Sequence, residues 1–426
     1  MYLRYLFTLW MMLSIMSCER QLQSDDLNPG IIRSIGWQGD ERAARIFETP
    51  EGYLVFGSSN SFAPGTYDAL LCRIDSNLNL LSEARHGGPG DEMILGAEAI
   101  RNSSGATTAY IAWGTVKGAG RSDRDIWLLF LDANGLKTAE KRIQFSSDAV
   151  DDVPVSLQIT SDALLIACNT ARPGPAGFVE AAAWIKTDLS GNIGWRSVLH
   201  DTIAMKADGL VETATNKSMA LCHSRTGEIR MLEISDPVQP TDTVSYQLLA
   251  QLQEPGLQEG GQWLLSPDNN FWFYHSQLLN GKEQTLLTRL RGNGQFVDRK
   301  TAGNGDFERP GRVCLQTRST PYPVNWLSSR RPALGSAREE MGIYFSDRNG
   351  IRLKEPMFYG GSFSNVPADL IQTRDGGLLL LGTHTAPNRP GGDFVLYKLN
   401  RGCSPPATNR WMKAKRRSRF SPAKTQ

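Results

Sequence analysis

GDERAARIFETPEGYLVFGSS (39–59) returns near the other end of the chain as SNVPADLIQTRDGGLLLLGTH (364–384). Each copy reads as an apolar-patterned strand, a tight turn and a second apolar strand. Related segments lie between them, GDEMILGAEAIRN…AYIAWGT (90–115) and DDVPVSLQITSDALLIACNT (151–170). After each comes an alternating strand that opens on a polar residue and runs into an Asp/Asn/Gly turn, as in YDALLCRIDSN (67–77), RDIWLLFLDANG (124–135) and DFVLYKLNRG (393–402). Weaker copies at 181–192, 228–236, 284–294 and 342–350 bring this third strand to seven occurrences. Turn glycines and asparagines suit the positive φ that hairpin turns demand and β-branched residues resist. No long segment of helical period interrupts the pattern.

Four short antiparallel strands about every 50 residues describe the blade of a β-propeller. The fold expected is therefore all-β, with seven four-stranded blades; six or eight blades are the neighbouring alternatives. The seventh unit supplies strands a, b and c, but Ser404-Pro405-Pro406 cannot supply a fourth. Ile31 to Trp37, ahead of the first unit, is a strand d without its own a, b and c. It is expected to complete the last blade and close the ring, leaving no open edge through which to aggregate.

The 426 residues are 40% hydrophobic and 21% charged, with 41 Gly and 22 Pro, a globular rather than a disordered composition. Net charge is +2, too balanced for an electrostatic case for nucleic acid. That balance conceals unlike parts. Seven basic residues and no acid lie in Cys403 to Gln426; setting these and Arg4 aside leaves −6 on the rest. Residues 403–426 read as a basic, solvated tail, with attraction to an anionic envelope polymer as the functional alternative.

Residues 1–18, MYLRYLFTLWMMLSIMSC, hold a basic start and an apolar run too short for the roughly 20 residues of a spanning helix. This is the form of an export signal. Its end, Ile15-Met16-Ser17-Cys18, resembles the bacterial lipobox, which implies lipidation of Cys18; a plain secretory signal with an incidental cysteine is the alternative. Residues 19–30 form a polar tether, 31–402 the propeller. Two or three acyl chains hold a protein firmly to a membrane. Cys72, Cys168, Cys222 and Cys314 sit in apolar strand-like runs and read as small buried hydrophobes. No CxxC or HxxxH spacing supports a metal, and no cofactor is expected.

His86-Gly87-Gly88-Pro89-Gly90-Asp91-Glu92, Thr373-Arg374-Asp375-Gly376-Gly377 and Asp125-Ile126-Trp127-Leu128, the last running to Asp132-Ala133-Asn134-Gly135, carry a further resemblance. The pattern is similar to the propeller repeats of secreted and lipid-anchored Bacteroidetes proteins. That resemblance implies the fold and an outer-membrane, cell-surface address, and it carries no catalytic set.

Candidate site residues fall on the face where d–a and b–c connections emerge. The d–a side carries Asp40, Asp91, Asp151 and Asp306, with Asn365 in the last unit; the b–c side carries His223 and His275, and Trp113, Tyr274 and Trp326 end strands b. A ring of carboxylates facing imidazoles suits acid/base work or cation binding. The plainer reading is that each Asp caps its own turn, that the histidines are strand ends, and that the aromatics pack between blades. No nucleophile elbow or phosphate loop is present. The function expected is binding of a glycan, peptide or envelope protein, with a carbohydrate-active hydrolase or lyase using the acidic rim as the alternative.

Overall fold

The computed structural model describes residues 30–399, apart from 63–65, 119, 146–149, 175–176, 215–216, 238–243, 255–256, 260–262, 267–269, 303–307, 316–323, 332–337, 348, 361–362 and 388–390. Cys18, Asp306, Cys403 and the basic tail lie outside the described residues.

All the regular structure there is β, and it forms the seven antiparallel blades of a closed propeller. Strand β1 (Ile31–Ile35) precedes the first blade. Blade 1 is β2 (Glu41–Thr49), β3 (Gly52–Ser59), β4 (Asp68–Asp75) and β5 (Leu80–His86); blade 2 is β6 (Asp91–Arg101), β7 (Thr107–Lys117), β8 (Asp125–Asp132) and β9 (Lys137–Ile143). Blade 3 is β10 (Val153–Ile159), β11 (Ala163–Gly174), β12 (Gly177–Asp188) and β13 (Ile193–Val198). Blade 4 is β14 (Met205–Ala214), β15 (Lys217–Ser224), β16 (Glu228–Ser235) and β17 (Ser245–Gln253). The inner strand of blade 5 comes in two pieces, β18 (Leu257–Glu259) and β19 (Trp263–Leu265), followed by β20 (Asn270–Leu279), β21 (Lys282–Arg291) and β22 (Phe296–Thr301). Blade 6 is β23 (Glu308–Leu315), β24 (Val324–Arg330), β25 (Glu340–Ser346) and β26 (Arg352–Tyr359). The last is β27 (Ser364–Gln372), β28 (Leu378–Thr385) and β29 (Asp393–Leu399), with β1 as its outer strand.

That closure runs in antiparallel register from Ile31 opposite Lys398 to Ile35 opposite Phe394. Ile35 is 8% exposed and packs with Ile46, Val55, Leu381 and Phe394, so the borrowed strand joins the apolar layer between blades 7 and 1. A layer of the same kind lies at each of the other six blade junctions. The middle strands b and c are apolar on both sides because each blade is sandwiched between two others; every residue of β3 is buried. Cys72, Cys168 and Cys222 are free thiols within these layers. Cys314 lies in β23 opposite Asn325.

The c–d turns show why the sequence carries Gly there. Gly135, Gly191 and Gly350 adopt φ of 82°, 81° and 72°. Blade 1 places Leu78 at the corresponding position with φ 64°, and its side chain is buried in the blade 7–blade 1 layer. Left-handed backbone costs an L-residue roughly 1–2 kcal/mol, which burial of a leucine, worth about 1.5–3 kcal/mol, offsets.

Deletion of residues 31–37 is expected to lower the midpoint of thermal unfolding by roughly 5–10 °C, since it strips an edge strand and uncovers the layer beneath Ile35. An unchanged midpoint would show that the ring does not need this strand.

Candidate functional site

The recurring aspartates of the d–a connections do not cap their own turns. Each reaches back to the preceding blade. The backbone N–H of Gly392 donates to Asp40 (2.7 Å), that of Tyr67 to Asp91 (3.0 Å) and that of Arg124 to Asp151 (2.8 Å). The residue after each aspartate returns the bond: Glu41 N–H to Gly392 C=O (2.8 Å), Glu92 to Tyr67 (2.7 Å), Asp152 to Arg124 (2.8 Å). In blade 7 the Ser364 hydroxyl takes the aspartate's part towards Glu339 (3.1 Å), and Asn365 donates back (2.8 Å). Asn365 thus matches Glu41 and Glu92, one place on from Asp40. The carboxylates are pieces of a two-bond clasp between blades, each bond worth about 1 kcal/mol net. Burial works against Asp40, but Tyr67, the Gly392 N–H and Arg42 prevail and hold its carboxyl below the usual range. Aspartates that do cap their own turns sit at the other end of strand c: Asp132 accepts the N–H groups of Asn134 and Leu136 (both 2.8 Å), and Asp75, Asp188 and Asp347 repeat this.

Two of the three aromatics expected at the rim are interior. Trp113 packs in the layer between blades 2 and 3, and Tyr274 in that between blades 5 and 6. Strand b lies second from the axis with neighbours on both faces, and it runs on past both residues, to Lys117 in β7 and Leu279 in β20, so each sits mid-strand in the buried stretch. Trp326 is in β24 opposite Val313 and Tyr344, and its side chain lies outside the described residues.

The two histidines part company because they lie on opposite faces of their sheets, His275 on the side of Phe271 and Phe273 and His223 on the side of Met219 and Leu221. His275 is fully buried, stacked on Phe273 (5.1 Å), with Nε2 3.0 Å from the Thr288 hydroxyl. Burial, helped by Arg299 and His223, drives its pKa from the usual 6.5 down to about 3, so the ring is neutral. His223 instead lines the central cavity.

That cavity has a volume of about 1130 Å³ and is bounded by inner strands of blades 1 to 6. Six inner strands carry a β-bulge three residues after the d–a junction residue (Glu41 in blade 1, Glu92 in blade 2, Asp152 in blade 3), where the register skips Ala44, Leu95, Val155, Asp208, Gly311-Arg312 and Ala368. A bulge re-aims side chains. One consequence is a charge network across the axis: Arg45 bonds Asp369 (2.8 Å), and Arg312 reaches both Glu98 (3.4 Å) and Asp369 (3.6 Å). Arg312 belongs to blade 6 and Glu98 to blade 2, as far apart around the ring as two blades can be. The Asp369 carboxylate also accepts the Ile46 N–H (2.9 Å) and is fully buried.

Blade 4 puts Asp208 at the bulge, where blades 1, 2, 3 and 7 have alanine, leucine or valine. Both its carboxylate oxygens lie 2.9 Å from His223 Nδ1. In other blades the position of His223 holds a short acceptor that clasps the next blade: Thr383 accepts from Ala43 N–H (2.9 Å), Ser58 from Ile94 (2.7 Å) and Asn169 from Ala207 (2.8 Å). His223 turns to its own blade instead. Burial alone would lower its pKa, but Asp208 prevails and holds the imidazole above the usual range. Beside this pair, Lys206 and Arg225 share one carboxylate, Glu180, at 3.2 and 3.4 Å. Apolar lining comes from Leu210 on the same strand as Asp208 and from Leu257 and Trp263 of blade 5. Gly209 admits the Trp263 indole, whose Nε1 would lie 1.5 Å from any Cβ there. Sequence reading found His223 and missed Asp208. Aligning the repeats on the junction acids would have exposed a lone acid in an apolar column. Among the described residues no group of three or more His, Cys, Asp or Glu is placed to hold a metal.

Because the unfolded chain takes up a proton at His275 below about pH 6.5 and the folded chain does not until about pH 3, this group costs stability as the solution is acidified. Relative to wild type, His275→Gln is expected to flatten the acid limb of stability by up to about 3 kcal/mol at pH 4, read by urea unfolding at pH 7 and pH 4. Parallel pH profiles for the two proteins would overturn the assignment of a neutral imidazole.

No family model matches the sequence, and no curated protein matches it. Solved structures resemble it in fold. Puromycin hydrolase is 11% identical with a TM-score of 0.49, over 83% of this chain and 51% of that one. An acylaminoacyl peptidase of Pyrococcus horikoshii is 8% identical with a TM-score of 0.47, over 88% and 54%. The chain thus spans about half the length of these two enzymes. The β-propeller domain of the trilobed protease from Pyrococcus furiosus, described as having an open velcro topology, is 10% identical with a TM-score of 0.47, over 87% and 99%. At these identities the likeness concerns the propeller fold alone.

Proposed function

We propose that the protein is a lipid-anchored binding protein of the cell envelope whose propeller takes its ligand, a glycan, a peptide or a segment of a partner protein, at the central cavity. The observation that carries the reading is the asymmetry of that cavity. An ionic network bridges blades 6, 7, 1 and 2, while blades 3 to 5 offer an apolar wall beside a histidine–carboxylate pair. A concave site with few polar groups set in apolar surroundings suits ligand binding. Acid hydrolysis of a glycan needs two carboxylates free to face one bond. The rim aspartates Asp40, Asp91 and Asp151 are engaged with backbone N–H groups of neighbouring blades, which favours binding over that chemistry. The export signal and the lipobox-like Ile15 to Cys18 support the envelope address.

Glycan and peptide arrays probed with the full chain are expected to yield a ligand whose affinity falls at least tenfold in Val155→Trp, which fills the cavity from the blade 3 bulge. Equal binding by a folded Val155→Trp protein would move the site away from the axis. Cys18→Ala is expected to shift the protein from the membrane fraction to the soluble fraction. Unchanged fractionation would discard the lipid anchor.

A further inference from the structure

We infer that the blade 3–blade 4 wall of the cavity is a receptor for a single carboxylate on an apolar body, with His223 as the group that meets the anion. The inference rests on the cavity being the binding site and names the chemistry that site selects.

Three observations converge on it. First, the dyad departs from the repeat at two places at once. The bulge carries an acid at Asp208, where blades 1, 2, 3 and 7 have Ala44, Leu95, Val155 and Ala368 and blade 6 has Gly311-Arg312. The strand b position that clasps the next blade in blades 1, 3 and 7 is His223, turned inward onto Asp208. A purely structural blade needs neither change. The cost is evident, since Asp208 is deeply buried and its partner is an imidazole.

Second, the geometry leaves one ring nitrogen for a ligand. Both carboxylate oxygens of Asp208 face Nδ1, which fixes the ring and leaves Nε2 with no partner among the described residues. His223 is 7% exposed and lines the cavity, so the surface it does show belongs to that space. Ser156 lines the same space, and its hydroxyl is buried with no partner among the described residues. A buried hydroxyl without a partner costs on the order of 1–3 kcal/mol unless something else bonds it.

Third, the charges do not cancel. Lys206 and Arg225 share Glu180, and a protonated His223 faces Asp208, which makes three cations to two anions. Arg225 is mostly exposed and free to swing toward an anion. Arg45 and Arg312 are matched by Glu98 and Asp369 and contribute no surplus. One net positive charge beside Leu210, Leu257 and Trp263 fits a monoanion with an apolar body, and a charge-assisted N–H···O bond from the imidazole supplies the direction.

The test is calorimetric titration of the full chain at pH 6 with N-acetyl-Leu-Phe and with 4-phenylbutyrate, each beside its neutral amide. At least one acid is expected to bind, with its amide at least tenfold weaker. Binding of the dipeptide alone assigns a peptide C-terminus, and binding of phenylbutyrate assigns free carboxylic acids. His223→Gln and Asp208→Asn should each weaken the acid at least tenfold and leave the amide unchanged. Arg225→Gln, at an exposed position that does not threaten folding, should weaken the acid several-fold. Acid and amide binding alike, full acid affinity in folded His223→Gln and Arg225→Gln proteins, or no binding of either acid would overturn the inference. If acid and amide bind equally and both are lost in Val155→Trp, the cavity stands as a binding site and only the carboxylate preference falls.

Discussion

A propeller blade is a sheet with two apolar faces, and neither can be left wet. That single constraint organises this molecule. Each of the seven junctions holds its own apolar layer, and the ring is stable because the last layer, between blades 7 and 1, is as complete as the others. Hydrophobic burial is non-directional, so it sets the stacking of blades without setting their angle. Direction comes from the hydrogen-bonded clasps at the d–a connections, where a short acidic side chain completes a two-bond bridge to the blade before. Acids recur in this sequence because the ring needs acceptors at fixed places around it.

This accounts for what the sequence showed and what it hid. The period, the strand count and the unmatched strand at Ile31 to Trp37 are local patterns of apolarity and turn residues, and they carried the fold. The targets of Asp40, Asp91 and Asp151 are not local. Each aspartate bonds a residue 24 to 27 positions upstream or, for Asp40, 352 downstream, on a different blade. A capping reading assigned the right kind of bond to the wrong partner. Trp113 and Tyr274 read as strand ends, but the strands continue to Lys117 and Leu279, which leaves both residues in the sandwiched middle.

The candidate site was the least legible part. His223 and His275 read alike in sequence, yet one is neutral and sealed and the other lines the cavity. What separates them is the face each takes: His275 follows Phe271 and Phe273 towards blade 4, while His223 follows Met219 and Leu221 on the opposite face of its own blade and meets Asp208, which a bulge skips in the register. Bulges have no reliable sequence signature. A column built on the buried junction acids reveals this one only after those acids are known to be equivalent.

The pairing of β1 with β29 also dictates when the molecule can be finished. Gly30 donates its backbone N–H to Lys398 C=O at 2.9 Å, so almost the whole chain separates the two halves of one hydrogen bond. A chain emerging from the ribosome in order can build six blades as it goes, but the seventh must wait for residues at the far end of translation. Until then the first and last sheets expose their unmatched sides. The slow, entropically expensive contact comes last, and truncation before Asp393 removes it altogether.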